Sequence, residues 1–420
     1  MLAQVAVKIR RQMTEFSGKL SKGLCKPARR FVSEMIYGIQ ARQSVHLTEV
    51  GRSLNEGIPL IKTETRLSRN LAREEIRPQL QDAIVKEGSS RIKEDTLLVL
   101  DLSDIVKPYA EKMENLAVVR DGSSGELANG YMLCQVIGVE NEGSRITPMY
   151  GELYSQKAED FVSENDELKK SIRKVSAATR GRGVWVIDRG GDRRELYNEF
   201  APQENGLRFI IRQKGDRNLM FGNKNVLTIE IARHCAMPYA TTIVQEDKGR
   251  EKVYNLEYGF RAVRLPEHPQ VPLWLVVVSG FGVEPMMLLT NVPMRKNRKV
   301  IWWAISAYLT RWRIEETIRF AKQCYQIEDI RVMKYERLRN MVTLVTAAMF
   351  FASVVLGAKM KLKILATHVL DAAKRLFGIP DFRYYAISDG IKEVLNRFPR
   401  RLSPPNPYDP TPFLLPLFDT

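Results

Sequence analysis

The pattern of apolar and polar positions divides the chain into stretches of different texture. From Ser44 to Leu80 apolar residues recur at helical spacing. Leu47, Val50 and Leu54 mark one helix, Asn55-Glu56-Gly57 forms a turn, and a second helix runs to Arg77, stopped by Pro78. From Asp95 the pattern changes to short unbroken apolar runs, Thr96 to Leu100 ending in Asp101 and Val184 to Ile187 ending in Asp188, which predict strands buried on both faces. Between them lie two more strand-like runs, Tyr131 to Val139 and Ile146 to Leu153, and a charged helical segment, Phe161 to Val175. After Asp188 come Gly190-Gly191, a short helix from Arg193 to Phe200 and a strand from Leu207 to Arg212.

Residues 217–293 hold short β-type runs (Val226 to Ile231, Ala240 to Gln245, Lys252 to Leu265, Leu273 to Ser279, Met286 to Leu289) separated by Gly and Pro. Helical texture returns at about Arg298 and continues to Phe398, with breaks near Gly357 and Gly378. Leu402 to Thr420, which holds six of the twenty prolines, reads as an extended tail. The order strand, strand, strand, helix, strand, helix, strand before residue 213 is that of a ribonuclease H-like α/β core. The expected organisation is a helical N-terminal region with a basic arm (1–90), the first part of a ribonuclease H-like mixed-sheet core (91–216), a β-rich insertion (217–297), a helix completing the core (298–340), and a helical C-terminal region with a Pro-rich tail (341–420).

Composition narrows the function. Sixty-five basic against 49 acidic side chains give a net charge of +16 over 420 residues, which favours a polyanionic partner, and 44% hydrophobic residues provide for a sizeable core. The basic excess is uneven: residues 1–30 carry eight basic side chains against one acidic, read as a basic arm, and residues 294–339 carry twelve against five. The cysteines Cys25, Cys134, Cys235 and Cys324 are too scattered for a disulfide scaffold or a zinc ribbon, which fits a reducing cytosol. Four histidines without HExxH spacing leave carboxylates as the source of any metal site. Asn340 to Ala358 is nineteen residues without a charge, interrupted by Asn, Thr, Ser and Gly, and is expected to be a buried core helix with no membrane partner.

Two basic clusters have helical geometry. At about 100° per residue, Lys62, Arg66, Arg69, Arg73 and Arg77 fall within an arc of roughly 80°, opposite Leu67 and Leu71, which suits phosphate contact as well as a solvated face. On a helix over 308–322, Tyr308, Arg311, Glu315 and Lys322 share a stripe of roughly 60°, with Arg319 beside it. Exposed ion pairs of this kind contribute only about 0–1 kcal/mol, so the stripe makes better sense as a site in which Glu315 holds a metal while Arg311, Arg319 and Lys322 grip phosphates and Tyr308 stacks beside them. Asp104, Asp192 and Glu316 are the alternative acids for Asp101, Asp188 and Glu315; the strand-end positions and the stripe favour the latter three.

The spacing Tyr308, Arg311, Glu315, Lys322 resembles the Tyr-Arg-Glu-Lys signature of bacterial insertion-sequence DDE transposases, the group with a ribonuclease H-like core and a β-strand insertion before its last acidic residue. Asp101-Leu102-Ser103 resembles that family's first Asp-x-Ser/Thr element. Val186-Ile187-Asp188-Arg189-Gly190 resembles its second Asp-terminated strand, Leu207 to Arg212 its next strand ending in Arg, and Arg311-Trp312-Arg313-Ile314-Glu315 its Arg-Trp-x-Ile-Glu run. The similarity spans Leu97 to Asn340 and, more loosely, Ser44 to Leu80. Many relatives carry an acidic residue directly before the first catalytic Asp, where this chain has Leu100.

The resemblance implies that Asp101, Asp188 and Glu315 are both catalytic and metal ligands, holding two Mg²⁺ ions, with Mn²⁺ able to substitute, for in-line attack on a DNA phosphodiester. It implies that Tyr308, Arg311, Arg319, Lys322 and Arg212, with Lys62, Arg66, Arg69 and Arg73 of the N-terminal region, contact DNA. The implied partners are double-stranded DNA at the element's inverted repeats and at the target, and a second copy in a homodimeric synaptic complex in a bacterial, nucleoid-associated cytoplasmic setting. Such transesterifications need no ATP, consistent with the lack of a GxxxxGK[ST] loop. The alternatives are a transposase-derived DNA-binding protein and a ribonuclease H-like nuclease without strand transfer.

Overall fold

Five helices precede the first strand: α1 (Leu2–Leu20), α2 (Lys26–Arg42), α3 (Leu47–Leu54), α4 (Leu60–Leu71) and α5 (Ile76–Ser89). The computed structural model describes residues 2–201, 206–247, 250–372 and 383–399; the Pro-rich tail and the break near Gly378 lie outside them. The basic stretch expected as an arm is instead the packed helix α1 and the start of α2. Val5, Ile9, Met13, Phe16 and Leu20 of α1 are buried, Phe16 stacks on Phe350 at 5.6 Å, and Lys8, Arg11 and Lys19 occupy the outer face. The apolar period of this stretch, four residues and three, was masked by its charge.

Asn55 ends α3 in the left-handed conformation, as the turn signal predicts. The second helix stops earlier than expected, at Leu71, and Pro78 is not its terminator. Pro78 sits in the first turn of α5, where its missing N–H leaves no hydrogen bond unmade. Arg77 therefore belongs to a different helix from Lys62, Arg66 and Arg69.

The next strands are β1 (Leu97–Val106), β2 (Ala117–Arg120), β3 (Leu127–Val139) and β4 (Ile146–Tyr154). Helix α6 (Glu164–Thr179) follows, then β5 (Val184–Ile187), α7 (Arg194–Phe200) and β6 (Arg208–Arg212). Ser163 caps α6 by accepting from the Asp166 N–H, and Glu164, Asp166 and Glu167 favour the positive end of its dipole. Residues 217–293 contain β7 (Asn218–Phe221), β8 (Lys224–Leu227), α8 (Thr228–Arg233), β9 (Tyr239–Asp247), β10 (Arg250–Leu265), β11 (His268–Ser279) and β12 (Met286–Thr290). The run from Val226 to Ile231, expected as strand, turns helical at Thr228 because Ile231 and Ala232 then both face the core. Helices α9 (Arg298–Thr310), α10 (Trp312–Cys324), α11 (Tyr335–Phe350), α12 (Ala358–Ala372) and α13 (Tyr384–Arg397) complete the chain.

Among the described residues the strands form one mixed sheet of twelve, in the order β2-β3-β1-β5-β6-β12-β11-β10-β7-β8, with β4 on β3 and β9 on β10. The insertion strands thus extend the same sheet that carries β1, β5 and β6. Strands β1, β5 and β6 are parallel, and their side chains alternate between two cores. Leu98, Leu100, Trp185, Ile187, Phe209 and Ile211 pack with α6 and α7. Leu97, Val99, Val184, Val186 and Ile210 face the other way, into the core that includes α9, α10, α11 and the N-terminal helices. The uncharged run from Asn340 lies mostly in α11, buried against β4, α5 and α2, as expected of a core helix.

Helix α5 is tied to the sheet and to α11 by a buried carboxylate. Glu152 of β4 accepts from Gln81 (2.9 Å) and pairs with Arg77 of α5 (3.1 Å) and Arg339 of α11 (2.9 Å). Removing one member of a buried ion network strands the others, at a cost of about 3 kcal/mol or more. Glu152→Ala is therefore expected to lower unfolding free energy by about 3 kcal/mol, read from the urea midpoint; a change below about 1 kcal/mol would show that the network does not hold these elements together.

Candidate functional site

The site begins with strand register. Leu100 of β1 pairs with Ile187 of β5, and Ile187 pairs with Ile211 of β6. The next residue on each strand is Asp101, Asp188 and Arg212, so these three lie side by side where β5 and β6 end. Alternation sends all three to the face covered by α9 and α10. On the far side of Asp101, directly opposite it on antiparallel β3, is Gln135.

The helix expected to run unbroken through 308–322 is divided at Arg311. Helix α9 ends at Thr310, the Arg311 N–H bonds the Tyr308 carbonyl at 3.1 Å, and α10 begins at Trp312. The single-helix stripe is thus corrected: Tyr308 is on α9, whereas Glu315, Arg319 and Lys322 are on α10. At this junction the Arg311 side chain lies toward the sheet. Arg311 is 7% exposed, and its guanidinium lies 2.7 Å from Glu315 Oε1 and 3.5 Å from Asp101 Oδ2. Buried Tyr308 is flanked by two guanidinium groups, with Arg311 Cζ 5.7 Å and Arg212 Cζ 5.8 Å from its ring centroid, and Arg212 Nη1 donates to its hydroxyl at 3.4 Å. Tyr308 therefore holds two cations from inside the core instead of presenting a ring to solvent.

Each carboxylate has a distinct setting. Asp101 Oδ1 accepts from the Leu102 N–H at 3.0 Å. Burial pushes its carboxyl up to about 7; Arg311 opposes this, and the Asp188 and Glu315 charges add to it. Arg311 stays firmly protonated because Tyr308, Asp101 and Glu315 more than offset the burial of its charge. Asp188 Oδ1 accepts from the Gly190 N–H at 2.8 Å, and a Cβ on Gly190 would approach that oxygen to 2.9 Å, so any other residue there would displace the Asp188 carboxylate. Glu315, with its side chain 43% exposed, reaches the cluster from the solvent edge.

Among the described residues no group of three His, Cys, Asp or Glu side chains is arranged to enclose a metal ion. Arg311 supplies the positive charge between Asp101 and Glu315 instead. The donor set nevertheless fits a hard divalent cation: three carboxylates and no soft ligand. Three buried polar atoms around Asp101 also have no hydrogen-bond partner: Ser103 Oγ, two residues along the same face, Gln135 Oε1 and Arg311 Nε. Gln135 was not singled out from sequence, although it is the one side chain with hydrogen-bonding amide or charge in the run from Tyr131 to Val139.

The alternative acids are committed elsewhere. Asp104 pairs with Lys322 (3.0 Å) and accepts from the Gly122 N–H, buried Asp192 holds Arg217, the Tyr197 hydroxyl and the Lys214 N–H, and Glu316 pairs with Arg313 at 2.7 Å. Lys322 also reaches Glu328 at 2.9 Å, so its ammonium is a strut between α10 and β1. Arg319 is exposed on α10. On α4, Lys62 and Arg69 are exposed, but Arg66 is held by Glu34 and by Glu56 at 2.8 Å. Arg73, just past α4, bonds Asn70 and Glu75. The expected basic stripe is thus narrower at the surface than in the sequence.

No family model and no curated protein matches the chain. Among solved structures, the cryo-EM structure of a piggyBac transposase synaptic complex with hairpin DNA is similar at a TM-score of 0.43 and 10% identity, covering 95% of this chain and 80% of that one.

The raised Asp101 carboxyl gives a pH signature. Its proton is held up to about pH 7 in the folded chain but only to the ordinary carboxylate range when unfolded, so folding binds the proton more tightly and stability falls as pH rises between these limits. With a chelator present, Asp101→Asn is expected to melt near wild type at pH 4 and increasingly above it toward pH 8, by scanning calorimetry. A difference independent of pH would mean that Asp101 does not carry this cost.

Proposed function

We propose that the chain is a DNA transposase of the bacterial insertion-sequence DDE type, with a ribonuclease H-like core, that binds terminal inverted repeats and cuts and joins DNA. The observation that carries this reading is the convergence of Asp101, Asp188 and Glu315 on one face of the sheet, from two adjacent parallel strands and a helix packed against β1. Placing two further carboxylates beside a largely buried Asp is costly for stability alone and suits a site that binds Mg²⁺ or Mn²⁺. Divalent cations held there supply Lewis-acid activation of the attacking oxygen and countercharge for the leaving oxygen.

The chain's own groups do the rest. Asp101 and Asp188 are fixed by strand register, so their spacing is set by the sheet and not by a loop. Glu315 approaches from the exposed edge, where a scissile phosphate enters. Arg212, braced by Tyr308, lines the edge of the carboxylate cluster and offers planar donors to non-bridging phosphate oxygens, while Arg311 holds Asp101 and Glu315 in place. Arg319, Lys62 and Arg69 present exposed charge to the flanking backbone, and Arg66, Arg73 and Lys322 act mainly by holding the helices that carry these contacts. A homodimer on paired element ends completes the reading.

Asp101→Ala, Asp188→Ala and Glu315→Ala are each expected to reduce cleavage of end-sequence DNA on the order of 1,000-fold, about 4 kcal/mol in the barrier, while leaving end binding nearly intact. The assay uses Mg²⁺, end-sequence DNA and a target plasmid: nicking without joined products defeats the transposase reading and leaves a nuclease, and lost binding makes these acids structural. Replacing Lys62 and Arg69 by Gln is expected to flatten the log–log salt dependence of DNA binding by about one for each phosphate that the variant no longer neutralises. An unchanged slope removes α4 from the interface.

A further inference from the structure

Gln135 occupies a position that its own packing does not explain. It is 5% exposed, stands opposite Asp101 across the β1–β3 pair, and shares Asp101's face of the sheet, where directly opposed Cβ atoms lie about 5 Å apart. Its Oε1 is buried without a partner. Along β3, its neighbours on this face are Leu133 and Ile137. Across the other edge its partner is Gly151 of β4, which offers no side chain, and the Thr346 hydroxyl packed at that glycine is committed to the Val342 carbonyl. An orphaned buried carbonyl costs about 1–3 kcal/mol. The side toward Asp101 is the polar one, and it presents another acceptor. A cation between these two acceptors would satisfy both.

We propose that Gln135 is a further oxygen donor of the cation site, supplying a neutral amide oxygen to a divalent ion shared with Asp101. This rests on the metal-binding reading given above. A neutral donor beside the carboxylates adds a ligand without adding to their repulsion, and outer or supplementary ligands of this kind are worth about 10–100-fold in metal affinity.

The test is Mn²⁺ titration of the full-length protein, followed by electron paramagnetic resonance of free Mn²⁺, with melting curves in chelator. Gln135→Met, which keeps length and removes the oxygen, is expected to weaken Mn²⁺ binding about tenfold and to melt no lower than wild type, because it removes an unpaired acceptor. Gln135→Glu is expected to bind at least as tightly as wild type. Mn²⁺ affinity unchanged in Gln135→Met, with Asp101→Ala abolishing binding, overturns this assignment alone. If wild type binds no Mn²⁺, or Asp101→Ala binds as wild type does, the carboxylate site fails and this proposal with it. Weaker binding in Gln135→Glu marks an amide N–H donating to Asp101 and overturns the oxygen-donor role. Should Gln135→Met fail to fold, Gln135→Glu still decides, since affinity at or above wild type supports the proposal and a loss refutes it.

Discussion

A carboxylate held on the inner face of a sheet beside two others is the constraint around which this part of the molecule is arranged. At an effective dielectric near 20, like charges roughly 5 Å apart repel by about 3 kcal/mol, and burial adds a further penalty. Arg311 offsets both by pairing with Asp101 and Glu315 at once. Its side chain points at the sheet from the junction between α9 and α10. A buried cation needs its own support, which Tyr308 provides by placing its ring against Arg311 and Arg212 together.

Helix α10 is consequently fixed at both ends. Its start is held through Arg311 to Asp101, and its end through Lys322 to Asp104, three residues further along the same strand. The segment after α10 is fastened again by Lys107, just past β1, whose ammonium donates to the Glu328 and Ile330 carbonyls and whose burial pulls its pKa down to about 8. Glu315 projects from a helix tethered to the strand carrying Asp101, so the relative placement of the two acids depends on strand β1 and not on the long connection of residues 189–297. The insertion strands can vary in that connection without moving either acid, because they add to the far side of β6 through β12.

Much of this was legible in the sequence because strand burial and strand termination leave local signals. The run Val184 to Ile187 ends at Asp188 as read, whereas β1 continues past Asp101 to Val106, so Asp101 lies mid-strand, marked in the sequence by the change from unbroken apolar residues to alternating ones and not by strand termination. The helix carrying Glu315 was legible as a periodic pattern, but its interruption was not, since Arg311 keeps helical backbone angles and has no Gly or Pro beside it to announce a break. Long-range ion pairs left no sequence signal either. Arg66 finds Glu34, thirty-two residues away, and Arg77 finds Glu152 on another element, so both looked like surface charge until the elements were packed. Gln135 was hidden for the opposite reason: one polar residue in an apolar strand is commonplace, and only the register places it opposite Asp101.

The same distinction changes what the net charge of +16 means. A cation already paired with a buried carboxylate displaces no counterions when a polyanion arrives, whereas an exposed one does. Arg66, Arg77, Arg311, Lys322 and Arg339 are spent inside, on Glu34, Glu152, Asp101, Asp104 and their neighbours. Lys8, Arg11 and Lys19 of α1, Lys62 and Arg69 of α4 and Arg319 of α10 remain on outer surfaces. Arginine predominates among the inward cations, as its planar donors and weaker hydration suit pairing away from water, and lysine is common among the outward ones. The surface available to a polyanion is therefore smaller than the count of basic residues implies, and it is set by which helices turn their charged faces away from the carboxylates they would otherwise neutralise.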